Sequence, residues 1–358
     1  MKPFFVSLAT NNGDIGGGEV MLLNLARALR SLNVPVRVIG PSHPSALVDE
    51  ASALGFVTVV LPAKSRLAYM RAIRRWRHRN RHGILWCNGL IPAVATIGGT
   101  RRVVHLHQLP VGAHALLSRL ARWRALATLV PSAFMASRLP GTEMLHNWVE
   151  PVETYVDSRA REPLFVGFLG RPSVDKGVHV LARAMADLQR ETPGRFRLVL
   201  AGEARFVASS SQSVVADALR QIDHMIDRTG WITPAEFFSR VDIMVCPSVW
   251  PESFGLVVAE ALSARVPVVV SDAGALPEVV GPTYRLITPS GDVGALASMI
   301  KGAASATSRE QLDAGYERWL EFFSPAAGRA RLSSLLEKLG IPPDAGHIAL
   351  RRMTDDDV

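Results

Sequence analysis

Only two cysteines, Cys87 and Cys246, occur in 358 residues, and they lie too far apart for any metal or redox spacing. That excludes a disulfide scaffold and suits a reducing compartment. No apolar run approaches the ~20 residues needed to span a bilayer. The apolar part of "MKPFFVSLATNNGDIGGG" is too short for a signal peptide and reads as a first strand. A P-loop is missing. So is the G-x-G-x-x-G of dinucleotide sites, because Met21 follows where Gly16 and Gly18 require a third glycine. Acidic residues are scarce early in the chain: residues 1–150 hold 6 Asp/Glu against 18 Lys/Arg, whereas the remainder holds 26 against 22. The expectation is a cytoplasmic protein whose basic first part attracts anionic surfaces or ligands.

With 48% hydrophobic and 20% charged residues the chain can bury a sizeable core. Its length fits two domains. Short β-rich runs alternate with helical patterns: "PFFVSLA", then "GEVMLLNLARALRSL", in which Val20, Leu23, Leu25, Ala28 and Leu29 recur at helical spacing. Strands follow at "VPVRVIG", "FVTVVLP", "GILWCN" and near 102–106, 126–130 and 143–147, with a basic helix in "KSRLAYMRAIRRWRHRNRH", residues 64–82. A second series begins at "LFVGFLG" and continues through "RFRLVLAG", "RTGWI", "DIMVCPS", "VPVVVS" and "YRLITP". Such alternation predicts α/β architecture: two doubly wound, Rossmann-like domains facing each other across a cleft. The expected boundaries are 1–150, a polar linker at 151–163, a second domain at 164–325, a helix at 326–340 packing back on the first domain, and a flexible tail at 341–358.

Five stretches could carry chemistry. "NNGDIGGGEVMLLNLARAL" sets glycines between a strand and a helix, either as a tight turn or to let backbone amides approach a ligand. "VVHLHQLP" ends an apolar strand with His105 and His107, on one face by alternation, as core residues or as substrate contacts. "FLGRPSVDKGVHVLARAM" places Arg171 and Lys176 before a helix, either as ordinary loop charges or as a receptor for a diphosphate. In "WPESFGLVVAEAL", Glu252 and Glu260 bracket a Phe254-Gly255-Leu256 corner, with Ser253 the expected N-cap. Amides from Phe254 to Leu256 would face out of a positive helix end. A carboxylate such as Glu260 offers two acceptors to a vicinal diol such as ribose, unless both glutamates are simply solvated. "VVVSDAGALPEVV" adds a further turn with Gly274 and Glu278, and Asp292 reads as a helix cap.

Taken in order, "GGGEVMLLNLARAL", "HLHQ", "LVPSAFMASRL", "GRPSVDKG", "LVLAGE", "PESFGLVVAEAL" and "AGALPEVV" resemble the retaining glycosyltransferases of family 4 (glycosyltransferase group 1, GT-B fold). The resemblance covers nearly the whole chain. It implies that Arg171 and Lys176 bind the donor diphosphate, that Glu260 holds ribose and that Glu252 holds the transferred sugar. It also implies that the amides of Phe254, Gly255 and Leu256 complete the donor cradle and that Gly16 and Gly17 approach the donor phosphates. His107, rather than His105, matches the strand-end histidine. Gln108 stands where the family has an acidic residue, which removes one carboxylate contact.

The implied catalytic set is therefore His107, Glu252, Arg171 and Lys176, with no bound metal and no cofactor beyond a UDP- or GDP-sugar donor. The expected reaction moves a hexosyl group with retention to a hydroxyl acceptor, a lipid-linked or envelope glycan. Alternatives are a nucleotide-sugar epimerase or a phosphorylase on the same fold, and a basic nucleic-acid-binding module. No aromatic-rich nucleic-acid motif supports the last. The expected partners are a nucleotide sugar and a glycan or glycolipid acceptor, with no nucleic acid. Peripheral contact with an anionic membrane is expected through 64–82 and "SRLARWR", 118–124, at the inner face of the cytoplasmic membrane.

Overall fold

The structure, a computed structural model, describes residues 4–153, 162–203 and 209–341. Most of the expected linker and the whole tail beyond 341 lie outside them. The chain divides into two compact units, one ending at Trp148 and rejoined by the segment from Pro325, the other spanning Val149–Ser324.

In the first unit β1 (Val6–Ala9) leads to α1 (Gly17–Ser31), β2 (Val36–Pro41) to α2 (Ala46–Ala53), and β3 (Val57–Leu61) to α3 (Arg66–Arg79). Then come β4 (Ile84–Asn88), α4 (Leu90–Ala95), β5 (Arg102–His105) and α5 (Ala113–Arg122). The series closes with β6 (Ala127–Val130), α6 (Ala133–Arg138) and β7 (Glu143–Met144). The strands form a parallel sheet ordered β3-β2-β1-β4-β5-β6-β7. β1, β4 and β5 are buried along their whole length, as expected of central parallel strands covered on both faces, and they bury Ser7, Asn88, Arg102 and His105 along with their apolar residues. The order reverses between β1 and β4. Their following loops therefore diverge and leave a crevice at the carboxyl ends.

The second unit holds β8 (Leu164–Leu169), α7 (Val178–Glu191), β9 (Phe196–Ala201) and α8 (Ser209–Arg220). β10 (Ile226–Gly230), α9 (Pro234–Phe238), β11 (Ile243–Cys246) and α10 (Leu256–Ser263) follow. β12 (Val268–Ser271), α11 (Leu276–Val280), β13 (Ile287–Thr288), α12 (Val293–Ala306) and α13 (Arg309–Phe322) complete it. Its parallel sheet runs β10-β9-β8-β11-β12-β13, with the reversal between β8 and β11. The strand expected over "RTGWI" begins two residues earlier. Trp231 is left 75% exposed in the loop that leads to the Thr233 cap of α9. β13 is a two-residue edge, shorter than "YRLITP" predicts. Asp292 caps α12 as expected, accepting from the Ala295 N–H at 2.9 Å.

The last helix, α14 (Pro325–Lys338), belongs to the first unit. Its Leu332, Leu335 and Leu336 join a core with Met21, Leu22 and Trp148, each worth ~1.5–3 kcal/mol. Gly328 makes that packing feasible, because a Cβ there would stand 2.2 Å from the Trp148 ring. Asn24 Nδ2 fixes the same tryptophan by donating to its carbonyl at 2.9 Å. No helix among the described residues is long and apolar enough to cross a membrane.

Candidate functional site

Each reversal point gathers the polar groups of its unit. In the first unit Gly16, in extended conformation, caps α1, so the amides of Gly17 and Gly18 open the helix. A glycine cap has no side chain to accept them. Glu19 instead turns back and takes the Gly16 N–H at 3.3 Å, while Thr10 Oγ1 donates to its other oxygen at 3.2 Å. Burial raises the Glu19 pKa, and these donors only partly offset it. At the end of β4, Asn88 Nδ2 donates to the Gly18 carbonyl at 3.0 Å, and Asn88 Oδ1 lies 2.6 Å from His107 Nε2. The asparagine oxygen can only accept, so His107 carries its proton on Nε2 and leaves Nδ1 as a buried acceptor with no partner among the described residues. Burial lowers the His107 pKa to about 4, so the ring is neutral at physiological pH.

His105 takes the core role. It is fully buried, its ring 6.0 Å from Trp86 in edge contact and 4.1 Å from His107, and burial drives its pKa well below the ordinary value. Gln108 is exposed.

In the second unit the loop after β8 ends at Gly177, which caps α7 with φ 71°. A Cβ there would meet the Pro247 carbonyl oxygen at 1.8 Å, so only glycine lets this loop lie against the loop after β11. The Asp175 carbonyl reinforces the approach by accepting from the Val249 and Trp250 N–H groups at 2.9 and 3.1 Å. Lys176 Nζ consequently reaches Glu252 Oε1 at 2.6 Å, and Ser248 Oγ donates to the same oxygen at 2.5 Å. The Glu252 backbone is held from the far side, where its carbonyl accepts from the Ala275 N–H and a side chain on Gly274 would strike it. Arg171 is exposed and has no ion pair among the described residues.

The corner itself differs from expectation. α10 begins at Leu256 and is capped by Gly255 at φ 105°, not by Ser253. Its open amides are therefore those of Leu256 and Val257, because Val258 and Ala259 already donate to the Gly255 carbonyl. Phe254 is turned inward, 2% exposed, with its ring 5.3 Å from that of Phe323. A side chain at 255 would come within 2.6 Å of Leu276. Glu260 lies on α10, half-buried, and its carboxylate has no partner among the described residues. Burial pushes its pKa up to about 7.

The structure thus groups Arg171, Lys176, Glu252, Gly255, Leu256 and Glu260 in the second unit, and Gly16, Gly17 and His107 in the first. Sequence reasoning missed Thr10, Glu19, Asn88 and Ser248. The only signal for Asn88 and Ser248 was a polar residue at the end of an apolar strand. No cluster of three or more His, Cys, Asp or Glu side chains able to hold a metal occurs among the described residues.

Two family models match the chain: "Glycosyltransferase Family 4" over residues 15–144 and "Glycosyl transferases group 1" over residues 163–305. A D-inositol 3-phosphate glycosyltransferase of Segniliparus rotundus is 36% identical over 120 residues, 32% of this chain and 26% of that protein. That match therefore spans about a quarter of the relative's length. The phosphatidyl-myo-inositol mannosyltransferase of Mycobacterium leprae is 24% identical over 338 residues, 80% of this chain and 83% of that protein. In fold, the chain matches Anabaena HepE in complex with UDP and glucose at TM-score 0.78 and 20% identity, covering 93% of this chain and 99% of that one. Sucrose-phosphate synthase from Thermosynechococcus elongatus gives TM-score 0.77 at 19% identity, over 94% and 99%. The shared fold is GT-B, with two parallel-sheet α/β domains.

Proposed function

The chain belongs to the group 1, family 4 glycosyltransferases, and from that premise we propose that it transfers a hexosyl group from a UDP- or GDP-sugar to a hydroxyl of a glycan or glycolipid. The observation that carries this reading is the grouping at the β8/β11 reversal. It combines an ammonium held by a carboxylate, an open helix start, and a guanidinium and a second carboxylate that have no partner among the described residues.

The chemistry of a nucleotide sugar matches that set. Arg171, Lys176 and the Leu256 amide would neutralise the diphosphate and stabilise charge developing on it as it leaves. Glu260 would accept from both ribose hydroxyls, and Glu252 from hydroxyls of the transferred sugar. At the first unit's own reversal, His107, neutral and donating through Nε2 to Asn88, and the amides of Gly16 and Gly17 would offer further polar contacts to substrate. In the proposed transfer no step is routed through a metal. With retention, the acceptor oxygen would bond to the anomeric carbon on the face from which the diphosphate departs, the sugar–phosphate C–O bond breaking and the hydroxyl proton passing to the departing phosphate oxygen.

Relatives inform the acceptor. The Mycobacterium leprae protein is named a phosphatidyl-myo-inositol mannosyltransferase, and its match runs along most of this chain. A lipid-linked or envelope glycan acceptor is the corresponding proposal here.

The test is saturation-transfer NMR of the purified protein with UDP- and GDP-sugars, alongside Glu260→Ala. Transfer to one nucleotide's ribose, lost in the variant, is expected. If no nucleotide sugar gives transfer, the donor-site reading fails.

A further inference from the structure

α5 is docked with its apolar side outward. The residues it buries are small, Ser118 and Ala121. Its leucines are exposed: Leu116 by 62%, Leu117 by 39% and Leu120 by 50%, with Trp123 just beyond at 61%. At 3.6 residues per turn, Leu116, Leu120 and Trp123 fall on one side, and Ser118 and Ala121 fall roughly opposite. A helix stabilised by core packing shows the reverse pattern.

Nor is α5 loosely held. The fully buried Arg102 donates from Nη2 to the Ala121 and Trp123 carbonyls at 3.0 and 2.9 Å. From Nη1 it donates to Ala93, and from Nε to Gly99, so the end of α5 is tied to α4 and the segment after it. Arg122 adds a bond to the Pro140 carbonyl at 2.5 Å. The exposed leucine face is therefore presented by a fixed helix.

Charge selects the occupant. No Asp or Glu occurs between Glu50 and Glu143, a stretch that holds fourteen Lys/Arg. Arg119 and Arg124 are exposed beside the leucines. A second copy of the chain, meeting this face with its own, would set arginines against arginines with no acid to pair them. A nucleic acid would match the charge but would leave leucines and a tryptophan against phosphate. An anionic bilayer meets both needs, with headgroups for the arginines and acyl chains for the leucines.

We propose that α5 and Trp123 form an interfacial anchor by which the first unit lies on an anionic lipid surface. α3 has a different part. Its Tyr69 and Ile73 are buried and only Leu67 is a large exposed apolar residue, so it supplies positive charge rather than insertion. This surface stands independently of the donor site, since binding to vesicles requires no nucleotide sugar.

The experiment is co-sedimentation of the full chain with phosphatidylcholine vesicles, with and without about a third phosphatidylglycerol. Wild type should pellet with the anionic vesicles and release in high salt. The double variant Leu116→Ser/Leu120→Ser touches only exposed positions, and its melting temperature verifies folding. Its partition should fall at least ~10-fold. Brominated acyl chains should quench wild-type tryptophan fluorescence, and Trp123→Phe should keep binding while losing most of that quenching. The proposal is overturned if wild type ignores anionic vesicles, or if the double serine variant binds as wild type does. It is equally overturned if wild type dimerises without lipid and the variant does not, which would assign the face to a second copy.

Discussion

Replacing Glu260 by glutamine tests whether its carboxylate is held against its own ionisation. Burial raises its pKa from 4.5 to about 7, and no cation or donor among the described residues compensates. A folded pKa above the unfolded one means the folded chain holds this proton more tightly. The resulting stability is full below pH 4.5, falls as pH rises toward 7, and is gone above it. At 1.36 kcal/mol per pK unit, ionisation costs the fold up to ~3 kcal/mol at pH 8, and remaining solvent access brings this nearer ~2. Glu260→Gln keeps the shape and removes the charge. The variant should match wild type at pH 4.5 and exceed it at pH 8 by ~2 kcal/mol, or ~4–8 °C in melting temperature for a unit of this size. Amide exchange in β11 and α10 reads the second unit specifically. Nucleotide binding should move the opposite way: an ionised carboxylate can accept both ribose hydroxyls, so wild-type affinity should climb through pH 7 while the variant stays weak and flat. Equal melting shifts at both pH values would show Glu260 to be an ordinary solvated carboxylate and refute the reasoning.

Two further predictions concern the buried histidines and the glycines. His105 and His107 have lowered pKa values, about 4 for His107, so the folded first unit excludes protons that the unfolded chain takes up. Its stability should be present above pH 6.5 and lost as pH falls toward 4, by ~3 kcal/mol for His107 alone. Amide exchange in β4 and β5 across that window should show the slope, and His107→Asn should reduce it. Glycine substitutions should separate folding from function. Gly177→Ala forces a Cβ to 1.8 Å from the Pro247 oxygen at φ 71° and should cost more than ~3 kcal/mol. Gly18→Ala meets His107 at an ordinary 3.6 Å and should melt as wild type, yet lose at least ~10-fold in transfer rate by obstructing approach to the helix start.

The second unit's site was readable because one continuous stretch carries most of it. Glu252, the glycine corner and Glu260 lie within nine residues, and the strand before them, Ile243–Cys246, falls inside the "DIMVCPS" run and ends two residues short of Ser248. The helix start was misplaced because Ser253 has the composition of a cap. The actual cap depends on a positive φ at Gly255, which hydrophobic spacing does not encode. The Lys176–Glu252 pair joins residues 76 apart and follows only from the crossover that makes β8 and β11 neighbours. The first unit was less legible. Asn88 looks like a strand terminus and Glu19 like an ordinary first-turn acid until β1 and β4 are set side by side.

The charge arrangement also constrains how a donor could bind. The ammonium of Lys176 is already committed to Glu252, whose side chain is 13% exposed. On the proposed reading, a diphosphate must draw Lys176 away, exchanging one anion for another at little net electrostatic gain. Glu252 is then a largely buried carboxylate that keeps the Ser248 hydroxyl but has lost its cation. Leaving such a group unpaired costs several kcal/mol, on the order of the loss of one partner of a buried pair. Sugar hydroxyls are the donors that can relieve it. Nucleotide and sugar recognition would then be coupled through a single carboxylate, and the free nucleoside diphosphate, lacking those hydroxyls, would be held less tightly than the intact donor. That difference favours product release without any further device, because transfer of the sugar removes the donors Glu252 needs and returns it to Lys176.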